Sequence, residues 1–219
     1  MALSIVKKAE QNQNPGGSTQ TWTYNHTNGV DDCVILVMYM SNSVSYSSAT
    51  YRGASMTLVQ TANFGTQSQR YAVFELLNPP TSGTNQFVVT FSANQWSSTS
   101  MFAMSCHGTN GIGNHASNDL GATPNSKTLV VSNGSAIFAS GVSSNAFTGI
   151  DIDGSARPLE YQHNTNSQVA GALSFIPLSA GTINVVTKVT YNNVTNQRFE
   201  ILEKSVTPPT QNSNFLQFF

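Results

Sequence analysis

Cys106 and His107 are the most reactive neighbours in this sequence, since a thiol beside an imidazole is the raw material of nucleophilic catalysis. They lie in a strand-forming run, Met101-Phe-Ala-Met-Ser-Cys-His107. Successive residues of a strand point to opposite faces, so the two cannot hydrogen-bond to each other. The other histidines, His26, His115 and His163, stand far apart and lack the spacings of metal ligands. Asp151-Ile-Asp-Gly154 has the alternating oxygens that open a calcium loop, but Ser155-Ala-Arg-Pro158 follows without the remaining oxygen ligands or the closing Glu. A plain turn is expected there. Glu75, Asp119, Glu160 and Glu200 could converge as the acid and base of glycoside cleavage, a matter on which sequence spacing is silent. No Gly-x-Ser-x-Gly, Walker loop or dinucleotide fingerprint occurs. The expectation is a non-enzymatic protein with no catalytic residues, no metal and no cofactor.

Two features point to binding instead. Phe215, Leu216, Phe218 and Phe219 close the chain after a polar stretch, Ser205 to Asn214. Each such side chain gains about 1.5–3 kcal/mol when removed from water, so the cluster must dock, either in a groove of its own domain or on a neighbouring subunit. Trp96, in Ala93-Asn-Gln-Trp-Ser-Ser98, is the ring best placed to stack on a sugar; the other reading is a ring packed over a sandwich edge.

The elements that must position these groups are strands. Apolar residues alternate in Trp22, Tyr24 and His26 against Thr21, Thr23 and Asn25, in Phe87, Val89 and Phe91, and in Phe199, Ile201 and Glu203 against Glu200, Leu202 and Lys204. The run Cys33-Val-Ile-Leu-Val-Met-Tyr-Met40 is apolar on both faces, which predicts a central strand covered on each side. Asn133-Gly134 between two apolar runs reads as a two-residue hairpin, and 117–125, with Gly121 and Pro124, as loop. No window carries a helical stripe and no internal repeat is evident. The pattern predicts an all-β, antiparallel two-sheet β-sandwich, jelly-roll-like, over 19–204, with extended arms at 1–18 and 205–219.

Composition narrows the partners. Of 219 residues only 9% are charged, nine Lys and Arg against ten Asp and Glu, while Ser, Thr and Asn supply about a third. Scattered cations exclude a phosphate-binding face, so no nucleic acid is expected. The longest apolar run is about half of what a membrane helix needs, and no membrane is expected either. The start, Met1-Ala-Leu-Ser-Ile-Val-Lys-Lys8, lacks the order of charges and apolar residues found in a secretory leader. Cys33 and Cys106 lie in apolar runs and read as buried thiols, with a disulfide as the alternative.

Three segments resemble a known module. They are Tyr51-Arg-Gly-Ala-Ser-Met-Thr-Leu-Val59, Tyr71-Ala-Val-Phe-Glu-Leu-Leu-Asn-Pro-Pro80 with Gly83-Thr-Asn-Gln-Phe-Val-Val-Thr-Phe91, and Met101 to Asn110. Together they resemble a β-sandwich module of bacteriophage virion structural proteins, also seen in phage-derived bacterial proteins. The resemblance implies a virion component made in the host cytoplasm, decorating the capsid or belonging to the tail. It implies homo-oligomerisation and contact with other virion proteins, major capsid or tail proteins among them. The alternative is a receptor- or polysaccharide-binding module of a tail fibre, with a host surface glycan as ligand. No catalytic residue is carried across.

Overall fold

The computed structural model describes residues 2–13, 17–25, 32–64, 69–95, 99–164, 168–190 and 193–204. Within them the chain is all-β, in antiparallel sheets packed face to face. The first half supplies β1 (Ser4–Gln13), β2 (Gly17–Thr23), β3 (Cys33–Ser41), β4 (Tyr46–Tyr51), β5 (Ala54–Ser55), β6 (Thr57–Phe64), β7 (Gln69–Leu77), β8 (Gln86–Gln95) and β9 (Thr99–His107). They form one sheet in the order β1-β9-β3-β7-β6 and a second in the order β2-β8-β4-β5. The second half supplies β10 (Thr109–Ala122), β11 (Asn125–Val131), β12 (Ser135–Ser143), β13 (Phe147–Ile152), β14 (Ser155–Arg157), β15 (Leu159–Asn164), β16 (Gln168–Leu178), β17 (Gly181–Val189) and β18 (Asn193–Glu203). These form sheets β10-β18-β12-β16-β15 and β11-β17-β13-β14.

Adding nine to every strand of the first half gives the strand order of the second, so the chain is a duplication of one nine-stranded unit. Backbone detail repeats with it. Arg52-Gly53 turns β4 into β5 at φ 51° and 79°, and Asp153-Gly154 turns β13 into β14 at 51° and 73°. A register shift at Tyr46/Ser48 recurs at Phe147/Gly149, and one at Leu58/Gln60 recurs at Leu159/Tyr161. Where one sandwich without a repeat was expected, the structure has two, joined through Gly108.

The alternation of side chains builds four layers. Val34, Leu36, Met38 and Met40 face Trp22, Ala49, Tyr51, Phe87 and Val89 of the four-stranded sheet within the first unit. On the opposite face Cys33, Ile35, Val37 and Tyr39, with Phe102 and Met104, pack against Phe138, Tyr161, Phe199 and Ile201 of the second unit. Ile137 and Ala139 continue inward to Leu129, Ile150, Ile152, Ile183 and Val185. The central five-stranded sheets thus meet face to face, and the Cys33–Met40 run is covered on both sides as its composition demands. Strand β1 lies over β15, where Lys8 pairs with Glu160 and His163 Nε2 stands 3.2 Å from Glu10; β10 lies over β6 and β7. The same strands contact each other with the units exchanged, an approximate two-fold relation.

Three local expectations are corrected. Residues 4–13, expected within a free arm, are extended but paired along their length with β9, because Ile5 and Ala9 pack against the cores. The stretch 117–122 is strand, paired to β18 with one register shift, between Asn118 and Gly121. Asn133-Gly134 is a turn, Gly134 at φ 80°, but β11 and β12 belong to different sheets, so it crosses between layers and makes no hairpin.

Candidate functional site

Polar side chains concentrate at the seam between the units, and the connector organises them. Asp32 precedes β3; its backbone N–H donates to the Cys106 carbonyl and its carbonyl accepts from the Asn78 N–H. Its carboxylate Oδ2 accepts the Gly108 amide at 2.6 Å and lies 3.5 Å from His107 Nδ1, while Oδ1 is 3.9 Å from Lys204 Nζ. Gly108 in turn accepts the Lys204 amide. Asp32 therefore fixes the one residue that joins the two units.

Beyond the connector, the irregular start of β10 is held by two carboxylates. Glu75 of β7 accepts the Ile112 amide at 2.8 Å, and Glu200 of β18 accepts the Asn114 amide at 3.1 Å. Glu200 also takes the Ser135 hydroxyl at 2.6 Å and the Ser132 amide. A Cβ at Gly111 would fall 2.7 Å from Glu75 Oε2, and one at Gly113 2.6 Å from Glu200 Oε2, so each carboxylate presses on a glycine. Burial raises the Glu75 carboxyl above its ordinary value, against the pull of the Ile112 amide and His115. Burial acts on Glu200 in the same sense, but its hydroxyl and amide donors outweigh it and hold that carboxyl below the usual range. Opposed shifts of this kind can mark an acid and a base. Here each group accepts a backbone amide of β10, and Glu200 is wholly buried, so the arrangement anchors the start of that strand.

A third polar group lies inside the unit–unit interface. Tyr39 Oη is 2.6 Å from Ser140 Oγ and 2.9 Å from Gln197 Oε1. Tyr71 and Tyr161 approach the same serine, and among the described residues their hydroxyls and Gln197 Nε2 make no geometric hydrogen bond. Burial drives all three phenols far above their ordinary value, so each stays neutral.

The structure separates the residues singled out in the sequence. Glu75 and Glu200 come to amides two residues apart on β10; Glu160 lies elsewhere, paired with Lys8, and the Asp119 side chain is outside the described residues. His107 and Cys106 face opposite ways, His107 to Asp32 and Cys106 into the core. Asp151 pairs with Lys188 Nζ, and Asp153 makes the turn. His163 hydrogen-bonds Ser100, His115 neighbours Glu75, and His26 is outside the described residues. So are Trp96 and the tail residues Phe215, Leu216, Phe218 and Phe219. The first two segments behind the phage-module resemblance meet in one corner. Arg52 donates to Asn85 Oδ1 at 2.5 Å and to the Pro80 carbonyl at 2.7 Å, and Tyr51 Oη to the Tyr24 carbonyl at 2.6 Å. Gly83 packs against Arg52, whose carbonyl a Cβ would meet at 3.1 Å. That corner is structural. Asp32 and the Tyr39 group had no signal beyond their position beside, or within, a run apolar on both faces.

No family model, curated protein or solved structure matches the chain.

Proposed function

We propose that this chain is a non-enzymatic structural component of a bacteriophage particle, decorating the capsid or associated with the tail, and assembling as a homo-oligomer through its termini and sheet edges. The observation that carries the reading is the commitment of Asp32, Glu75 and Glu200 to backbone amides at the junction of the units. Carboxylates placed there stiffen a joint. They fit a protein that transmits load rather than one that turns over a substrate. The winding supports the same reading. If β5 and β6 are taken as two parts of one strand that passes between sheets, the strand orders of each unit are compatible with jelly-roll winding, an architecture shared by capsid and lectin domains. Fold analogy supplies only a prior, which is why the reading is tied to the carboxylates.

One observation favours the second reading, a receptor- or polysaccharide-binding module. The strands of the β2-β8-β4-β5 sheet contain no Asp, Glu, Lys or Arg. Their outward positions run Thr19, Thr90 and Ser48 in one row and Thr21, Val88 and Thr50 in the next. A neutral hydroxyl face of this kind suits a neutral, polyhydroxylated ligand. The counterpart sheet carries Lys127, Asp151, Arg157 and Lys188.

Mass spectrometry of density-gradient-purified particles from cells that carry the gene tests the leading reading. Peptides of this chain at constant ratio to a capsid or tail protein are expected. Its recovery in the soluble fraction alone would remove the virion assignment. Retention on a glycan array that is lost in both Trp96→Ala and Thr21→Lys would transfer the reading to the second class.

A further inference from the structure

Cys33 and Cys106 are direct Cα partners across the antiparallel pair β3 and β9. Directly opposed residues of such a pair have Cα atoms about 4.5–5.5 Å apart, inside the span of about 4.4–6.8 Å that a disulfide bridges. Both side chains belong to the interface cluster between the units, so they project from the same face of the sheet, and both are wholly buried. The thiols are not joined in the structure. We propose that Cys33 and Cys106 form a cross-strand dithiol that closes to an intramolecular disulfide when the chain folds in an oxidising medium.

The position gives the bond a consequence. Asp32 precedes Cys33 and holds the connector amide, while His107 and Gly108 follow Cys106. A covalent link there ties the central strand of the first unit to the last one at the point where the chain leaves for the second. Folded thiols exchange slowly: burial pushes Cys33 well above its ordinary value, the adjacent Cys106 adds to the rise, and no exposed sulfur is offered. Closure therefore belongs to folding, or to an opening of β3 from β9. With glutathione disulfide as oxidant, one cysteine thiolate attacks it, forms a mixed disulfide and expels a glutathione thiolate. The second cysteine thiolate then attacks the protein sulfur of that mixed disulfide, forms the Cys33–Cys106 bond and expels the other glutathione. Both cysteines are oxidised and one glutathione disulfide is reduced to two thiols.

The full chain, refolded from urea with a glutathione redox buffer or with reductant, provides the test. Thiols counted in denaturant should number two after reductant and none after the redox buffer. The oxidised chain should be lighter by two hydrogens, and its peptide map should join the segments holding residues 33 and 106. The melting temperature should rise by several degrees in the oxidised form and return on reduction. Cys33→Ser and Cys106→Ser should each melt at one temperature under both conditions. Persistence of both thiols in the redox buffer, linkage between chains instead of within one, or a lower melting temperature on closure would overturn the proposal, and none of these needs the variants to fold.

Discussion

Three phenols around Ser140 separate two kinds of buried polar group. Tyr39 Oη lies within hydrogen-bond reach of both Ser140 and Gln197, whereas among the described residues the hydroxyls of Tyr71 and Tyr161 approach Ser140 without reaching hydrogen-bond geometry. Removing a satisfied buried hydroxyl strands its neighbours, while removing an orphan relieves a desolvation cost. Tyr39→Phe should therefore lower stability by about 1–2 kcal/mol, and Tyr71→Phe should leave it unchanged or raise it, as read by urea denaturation. The carboxylates make a second prediction. Glu200 is held below its unfolded value, so its contribution is complete above the unfolded value of about 4.3 and is lost as pH falls through the folded one. Glu75 is raised, so its contribution is present below the unfolded value and lost as pH rises through the folded one. Between pH 7 and acid the two oppose each other. Glu200→Gln should lower stability at pH 7 and remove the acid loss, and Glu75→Gln should remove the stabilisation gained on mild acidification. Denaturant midpoints measured across this range check both signs.

At the scale of elements, the turns carry the duplication. Gly53 and Gly154 occupy equivalent left-handed positions with nothing within 4 Å of an added Cβ, so a side chain there meets strain but no clash. Gly53→Val and Gly154→Val should each cost about 1–2 kcal/mol, and by similar amounts, as thermal unfolding of the two variants would show. A much larger cost at one site would mean that the turns are not equivalent. The same scale shows what the residues revealed. Cys33–Met40, apolar at every position, could only be a strand covered on both faces. The repeat stayed hidden because it survives as backbone geometry while chemistry has changed. Tyr51-Arg-Gly corresponds to Ile152-Asp-Gly. The inward face of β9 holds Thr99, Met101 and Ala103, while that of β18 holds Asn196, Arg198 and Glu200. Arg198 reaches the Thr128 carbonyl and Asn118, and Asn196 the carbonyls of Asn125 and Val185, so polar side chains fill a layer that alternation assigns to apolar ones. The pairing of 117–122 was illegible for the same reason: its partners, Val194 apart, are polar. The seam carboxylates were visible as acids, but only the fold brings Glu75 and Glu200 to one strand.

For the whole molecule, the unit–unit interface is a continuous core. Ile35, Val37, Phe102 and Met104 on one side and Phe138, Phe199 and Ile201 on the other are all buried in it. Two chains cut at Gly108, 1–107 and 109–219, should accordingly co-purify when expressed together and aggregate when expressed alone. Soluble, monomeric halves would contradict a shared core. Whether the aromatic C-terminal end docks on a neighbouring subunit or in a groove of its own domain decides between the two readings of the tail, and we propose the former. Light scattering on the purified chain with and without residues 213–219 tests it most directly. The account predicts an oligomer for the full chain and a folded monomer for the shortened one; equal masses for the two, or a shortened chain that no longer folds, would contradict it.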